Sequence, residues 1–413
     1  MSSFFKAVYS NKWRVPLIIL GSGFLIRFLL MPVSGHLDLL LSSWREYLWA
    51  FKGVIKFNDL IEASLALYIK IFRSQLSLLP SLIDIPNSEG TLGLKEQATF
   101  LSSFRAWRYL FFFKLPFLMF DLASVYFIWK LFKDRAQKIM ALAFWAFNPF
   151  LIFAVYVWGR YEIVPIVLTI VSLYFLKNQK NWLAILFLGL AIAGRMPFIL
   201  LLPFYVIYLS KIKLDYLKYF IVGLLPLIVI TKIIEIAGGT NIFSDAVQSG
   251  FADYLVRGGI GQQFGAIVPF LILYPLALYL YYRHPKVHDF KVMTGFSAIG
   301  LLIFFGTSYF HPQYLAWLSP VILITFVYNR KIAWAYLGMS AIYFVLMDIF
   351  YNRIASSLLF QPLGLFWDNF GGLRSQRIFY DFNAETLISI FHTLFVLTIG
   401  ILIWQIYQKS HEN

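Results

Sequence analysis

The sequence predicts an all-α, polytopic integral membrane protein, and three observations carry that prediction. The 413 residues are 60% hydrophobic and only 13% charged, with a mean hydropathy of +0.73, whereas a soluble chain carries about 25% charged residues. Apolar runs of about 20 residues, the length a helix needs to cross a bilayer, recur along the whole chain. The basic residues behind the net charge of +15 recur in short bursts between those runs. That is the pattern of membrane topology rather than of a nucleic-acid-binding arm, so membrane lipids are expected partners and nucleic acid is not.

Taken in order, the apolar runs fall near 14–33, 109–131, 136–157, 160–176, 182–208, 216–236, 264–282, 290–308, 313–328, 331–350 and 385–407. The basic segment Met1 to Arg14 leads into the first run without a small-residue cleavage site, so that run reads as an uncleaved first helix. The run 182–208 is too long for one straight crossing and too short for two ordinary ones. Gly194-Arg195-Met196-Pro197 sits at its middle, where glycine and proline interrupt the helical ladder. Two short half-helices meeting at Arg195 are expected, giving about 11–12 membrane segments in all. No internal repeat is visible, and 1–413 reads as a single transmembrane domain.

The longest connection, 34–108, carries its own helical patterning. Leu40, Trp44, Tyr47, Leu48 and Phe51 recur at helical spacing in 37–51. Ile61, Leu65, Tyr68, Phe72 and Leu76 do so in 60–77, with Glu62, Lys70 and Arg73 elsewhere around that helix. Both segments read as amphipathic helices lying on a membrane surface. Ile83 to Gln97, with Pro86, Asn87, Gly90 and Gly93, reads as irregular loop.

The connections are of two kinds. Lys130 to Lys138, Lys177 to Lys180, Lys211 to Lys218, Arg283 to Lys291 and Asn329 to Lys331 are short and basic, and the positive-inside rule makes them cytoplasmic. The others are 34–108, 158–162, 237–263, 309–312 and 351–384, and they hold the residues capable of chemistry. These are Gly35-His36-Leu37-Asp38, Trp158-Gly159-Arg160-Tyr161-Glu162, Arg195 at the broken segment, and Asp245, Asp253 and Arg257. The turn Tyr309-Phe310-His311-Pro312-Gln313-Tyr314 completes the set. The asymmetry points to an extracytoplasmic active site or binding cleft. Arg27, Lys114 and Asp121 fall inside predicted spans, where a charge costs roughly 2.5–3.5 kcal/mol, so each is expected to face the bundle interior. Lys114 and Asp121 lie two turns apart and are not expected to pair.

The stretch from Phe113 to Phe204 resembles the GT-C glycosyltransferases, polytopic enzymes that take sugars from polyprenyl-phosphate donors. It is most similar to the mannosyltransferase-like members, including the group that adds the first mannose to glycosylphosphatidylinositol. The matching pieces are Lys114-Leu115-Pro116 with Asp121, then Trp145 with Asn148-Pro149, then Trp158-Gly159-Arg160-Tyr161-Glu162. Leu188-Gly189-Leu190 with Arg195, Pro197 and Pro203 follow, and His311-Pro312-Gln313-Tyr314 resembles a late extracytoplasmic turn of that family. The family usually has Gln or Asn at Arg160 and often Lys at Arg195. The resemblance implies a GT-C-like bundle with surface helices in its first extracytoplasmic loop, and an acidic residue there, often in an Asp-x-Asp pair. Asp38 takes that position, with His36 where the pair's first acid would stand. This departure weakens a two-carboxylate metal site and leaves only a divalent cation on Asp38 and His36 as a cofactor reading. With no cysteine, a thiolate metal site is excluded.

Sugar transfer from a polyprenyl phosphate needs a base for the acceptor hydroxyl and cations for the departing phosphate. Unlike glycoside hydrolysis it needs no general acid. Asp38 is the expected base. Arg195, Arg160 and Arg257 are expected on the phosphate, since a guanidinium fork donates two hydrogen bonds at once. His36, Glu162, His311 and Gln313 are expected to meet sugar hydroxyls or support the others. The expected partners are a polyprenyl-phosphate sugar donor and a glycan or glycolipid acceptor. A lipid-linked saccharide flippase, and an O-antigen ligase or polymerase-like enzyme using a diphosphate-linked donor, are the alternatives.

Overall fold

The computed structural model describes residues 14–36, 38–40, 46, 49–50, 53, 60–76, 99–103, 105–237, 268–308, 311, 313–351, 358–364 and 383–412. The described residues are helical and contain no strand. In chain order they form α1 (Arg14–Val33), α2 (Leu60–Ile71), α3 (Ala106–Leu131) and α4 (Arg135–Ala146). A short turn at Pro149–Leu151 then runs into a π-helical segment, Ile152–Val157. Next come α5 (Ile163–Lys177), α6 (Asn181–Gly194), a 3₁₀ turn (Met196–Leu201) and α7 (Leu202–Leu209). α8 (Lys213–Ile236), α9 (Pro269–Tyr282) and α10 (Phe290–Thr307) follow. A second 3₁₀ turn (Tyr314–Leu318) leads into α11 (Ser319–Tyr328), then α12 (Ile332–Tyr351), a third 3₁₀ turn (Leu358–Leu363) and α13 (Ala384–Glu412).

Among the described residues, seven stretches are long and apolar enough to cross a membrane: α1, α3, Arg135–Val157, α8, α10, α12 and α13. Five shorter apolar helical stretches join them, and the chain is an integral, multi-pass membrane protein. Local chemistry sets several boundaries. Asp134 and Asp289 cap α4 and α10 by accepting backbone N–H bonds from Gln137 at 2.9 Å and Lys291 at 2.7 Å. Asn148 does the same for the Pro149 turn, accepting from Phe150 at 3.0 Å, and it fastens that turn to α11 through Ser319 Oγ at 3.1 Å. α10 is the central helix, with 83% of its apolar window buried, while α1 and α13 present most of theirs outward (22% buried each).

The chain reverses at Arg195. Ser172 on α5 donates to the carbonyl of Ala184 at 2.6 Å and lies 3.2 Å from the Tyr205 hydroxyl. Residues 184 and 205 therefore stand at one level, whereas on a continuous helix they would be roughly 30 Å apart. Arg195 itself is extended, with φ −156° and ψ 113°. α6 and α7 form a V closed by α8. Gly189 meets Gly223 there so closely that a side chain would fall 2.5 Å from the Gly223 carbonyl, the close approach that small residues permit between membrane helices.

Where they are described, the two kinds of connection lie at opposite ends of the bundle. Lys177 donates to the Leu131 carbonyl and lies 3.1 Å from the Tyr328 hydroxyl, while His288 lies 2.8 Å from the Tyr208 carbonyl and Asn329 donates to the Gln405 carbonyl. At the other end Gly35 N–H bonds the Leu359 carbonyl, His36 N–H bonds the Trp158 carbonyl, and the Trp107 indole donates to Pro362.

Arg27, Lys114 and Asp121 face inward and are engaged by internal bonds. Arg27 donates to Asp121 Oδ2 at 2.6 Å and to the carbonyls of Gly23, Ala146 and Trp145. Asp121 also accepts from the Trp145 indole at 2.5 Å and the Tyr156 hydroxyl at 2.7 Å. Lys114 donates to the Ser34 carbonyl and to the Tyr156 carbonyl at 2.6 Å, and so ties the end of α1 to the π-helical segment. Lys114 and Asp121 do not pair.

α2 corrects one expectation. Its buried stripe is Ile61, Glu62, Leu65, Ala66 and Ile69, so Glu62 lies on the packed face, not the polar one. The helix docks on the bundle, and Tyr68 on its flank donates to the Phe112 carbonyl at 3.0 Å. Most of the helix expected over 37–51, and the loop 83–97, lie outside the described residues.

Candidate functional site

The turn between the π-helical segment and α5 is the centre of the site. The wide turn carries Trp158 N–H to the Phe153 carbonyl at 2.7 Å, and Arg160 N–H reaches back to Ala154 at 2.9 Å. Such wide turns are common at functional sites because they re-aim the residues that follow. Gly159 then adopts φ +89°, a left-handed conformation, and a β-carbon there would meet Leu39 at 2.7 Å. Only glycine lets the turn close against the segment that carries Asp38.

Five of the expected residues converge here. The Asp38 carboxylate accepts from the Trp158 indole at 3.2 Å and lies 3.6 Å from the Arg160 guanidinium. His36 stacks on Trp158 with ring centroids 3.8 Å apart, and its Nδ1 accepts the Asp38 backbone N–H at 3.1 Å. Glu162 has no exposed side-chain surface and clamps Arg195, whose Nε lies 3.0 and 3.1 Å from the two carboxylate oxygens. The Trp317 indole donates to the same carboxylate at 2.6 Å, and Arg160 stands 3.7 Å from it. Arg160 thus bridges two carboxylates at long range, while its guanidinium makes no hydrogen bond among the described residues. Both guanidiniums lie over the Tyr161 ring, Arg195 at 4.3 Å and Arg160 at 5.2 Å.

The electrostatics follow from this crowding. Burial alone would raise the Asp38 pKa. The Arg160 guanidinium, the His36 ring and the Trp158 N–H outweigh it and hold the carboxyl well below the usual range. Burial pushes His311 down to about 4, with the Asp38 charge opposing it and Arg160 reinforcing it, which sets His311 in the same electrostatic neighbourhood. Stacking extends from His311 to Tyr314 (4.8 Å) and on to Trp317 (4.5 Å), and Tyr351 stands 6.4 Å from His311 and 6.2 Å from Trp158. The charged cluster is therefore bordered by aromatic rings.

Of the remaining expectations, Gln313 is buried, and its Oε1 accepts no hydrogen bond among the described residues. Arg257, with Asp245 and Asp253, lies outside the described residues. Glu162 is fully enclosed, and the groups that reach its carboxylate are Arg195, Arg160 and Trp317. A divalent cation does not fit the donor set. No group of three His, Cys, Asp or Glu side chains comes together among the described residues, His36 Nδ1 is occupied by a backbone N–H, and a guanidinium faces Asp38.

Trp158 stood in the expected turn, whereas sequence reading missed Glu62, which accepts the Tyr161 hydroxyl at 3.2 Å, and the Trp317 indole. Glu62 was detectable: Leu65, Ala66 and Ile69 follow it at helical spacing on one stripe. The Trp317 indole carried no signal of its own among 12 tryptophans.

Beside the cluster lies an apolar cleft of about 350 Å³, walled by Ile61 and Leu65 of α2, Phe120 of α3, Val164 of α5, and Leu190 and Gly194 of α6. Gly194, the residue preceding Arg195, is part of its wall. Comparison with family models, with curated proteins and with solved structures returned no match for this chain.

Proposed function

We propose that this protein is a membrane glycosyltransferase of the GT-C kind, mannosyltransferase-like, which moves a hexose from a polyprenyl-phosphate donor to a glycan or glycolipid acceptor on the extracytoplasmic face. One observation carries the reading: an apolar cleft is walled by Gly194, the residue before Arg195, and the partly buried guanidiniums of Arg195 and Arg160 sit near a partly exposed carboxylate. A lipid chain, its phosphate and the hydroxyl that attacks the sugar need those three surfaces in that order. The bundle of about twelve membrane segments belongs to the same proposal, with the reversal at Arg195 counted as two.

In this mechanism the donor phosphate draws on Arg160 and Arg195, and the polyprenyl chain lies in the cleft beside Gly194. At rest Asp38 is a weak base because Arg160 neutralises it. The donor's phosphodiester is a monoanion that gains a second charge as the sugar departs; it competes for that guanidinium and so returns basicity to Asp38. The carboxylate takes the acceptor's hydroxyl proton as the acceptor oxygen bonds to the anomeric carbon. The bond from that carbon to the phosphate oxygen breaks, its electron pair leaves with the polyprenyl phosphate, and the anomeric centre inverts. Trp158 and His311 border the space for the sugar ring.

The flippase alternative needs polar groups exposed at several depths, whereas Arg27, Lys114 and Asp121 are saturated by internal bonds. The test uses purified protein in nanodiscs with a panel of labelled polyprenyl-phosphate hexoses. Labelled glycolipid should form, and Asp38→Asn should slow it by about 10²–10⁴-fold, the usual contribution of a general base. Translocation of the donor without bond cleavage would sink the enzyme reading. Turnover of diphosphate-linked donors alone would replace it with the ligase-like one.

A further inference from the structure

The opposite end of the bundle holds a second concavity, of about 310 Å³, between the start of α10 and the ends of α11 and α13. Lys286, Lys291 and Lys409 line it together with Asp289, Tyr328 and Asn329. Lys177 reaches the same place, 3.1 Å from the Tyr328 hydroxyl, and both Lys177 and Lys291 lie near that ring, at 5.8 and 4.8 Å. The negative charges nearby are already engaged. Asp289 caps α10, and Glu412 pairs with Lys409 at 3.2 Å. The ammonium groups of Lys286 and Lys291 make no ion pair or hydrogen bond among the described residues. Four lysines against two carboxylates leave a net positive charge in a recess.

A topology signal requires only that basic residues lie on one side of the membrane. It does not require them to converge from three helices on one cavity. We propose that this recess binds a phosphoester group, with the headgroup of an anionic phospholipid in the adjoining leaflet as the nearest source. The volume lies in the range of small-ligand sites, and basic pockets between membrane helices recognise such headgroups. The site is separate from the Asp38 cluster, and the inference does not depend on the proposed sugar transfer.

Native mass spectrometry of the full-length chain, titrated with phosphatidylglycerol or with phosphatidylcholine, tests it. The wild type should retain phosphatidylglycerol preferentially. Lys286→Gln/Lys291→Gln should weaken that retention by roughly 25-fold, about five-fold per lysine. Lys211→Gln/Lys213→Gln removes the same charge from exposed positions at the same end, outside the recess, and should leave retention unchanged. Lys286→Arg/Lys291→Arg should keep it, which separates charge from folding. Excess inorganic phosphate identifies the source: displacement of the lipid marks a soluble phosphoester, and continued retention marks the lipid headgroup. Equal binding of the two lipids by the wild type, or an equal loss in the Lys211/Lys213 variant, would overturn the proposal.

Discussion

The ion pair between Glu162 and Arg195 offers the most direct test of how the site is held. Glu162 is wholly enclosed and accepts from Arg195 at 3.0 and 3.1 Å and from Trp317 at 2.6 Å, with Arg160 at 3.7 Å. Glu162→Gln keeps the shape but leaves two guanidiniums facing a neutral amide. Breaking a buried pair from one side costs about 3–5 kcal/mol, and with two cations uncompensated about 4 kcal/mol is expected. Arg195→Gln is milder, at about 2 kcal/mol, because Glu162 keeps Arg160 and the indole and because Arg195 is itself 17% exposed. The double variant has no stranded charge at this pair, so it should cost no more than Glu162→Gln alone. The coupling is then about 2 kcal/mol. Unfolding by SDS titration in mixed micelles measures all four corners of the cycle. Additive losses, near 6 kcal/mol for the double variant, would refute the claim that these two side chains act as one unit.

Three further outcomes follow from the same geometry. Asp121→Asn strands Arg27, which is 1% exposed, and should cost about 3–5 kcal/mol, read as a lowered melting midpoint and poor accumulation in the membrane. Gly159→Ala meets both a φ of +89° and Leu39 at 2.7 Å. It should cost about 1–2 kcal/mol and, by displacing the Asp38 segment, reduce the proposed transfer more than it lowers the midpoint. An unchanged rate would separate that turn from the chemistry. His311 resists protonation down to about 4 in the folded protein, while the unfolded chain takes up that proton near 6.5. Stability should therefore fall as pH drops from 6.5 to 4, by about 2 kcal/mol after allowance for partial exposure. His311→Asn should flatten the midpoint-versus-pH curve in that window, and an unaltered slope would exclude His311 as its source.

How much could be read in advance differs between fold and site. The apolar runs located nearly every helix, because in lipid each backbone polar group must be satisfied within its own segment, so hydropathy and helix coincide. The break at Arg195 was legible from Gly194 and Pro197, and the reversal there agrees with the basic clusters falling at one end. Glu62 shows where that reasoning ended. A carboxylate on an amphipathic helix reads as its solvent face, yet α2 packs with Glu62 inward because Tyr161 offers it a hydroxyl. The resemblance between Phe113 and Phe204 was also mixed in content. Lys114, Asp121, Trp145 and Asn148 are structural, tying α1, α3, α4 and α11 together, while Arg160, Glu162 and Arg195 line the candidate site.

The amino-acid sequence by itself determined that the chain lives in a membrane, roughly where it crosses, and that its chemistry-bearing residues gather at one end. Those properties depend on composition and on spacing along the chain. Only the tertiary structure decided that Arg160 stands between Asp38 and Glu162, that Trp317 and Glu62 belong to the site, and that a guanidinium faces Asp38. Apart from Arg160 with Glu162, which share one turn, those contacts join residues separated by 99 to 155 positions. Their distances are set by how the helices pack, and no local pattern encodes them.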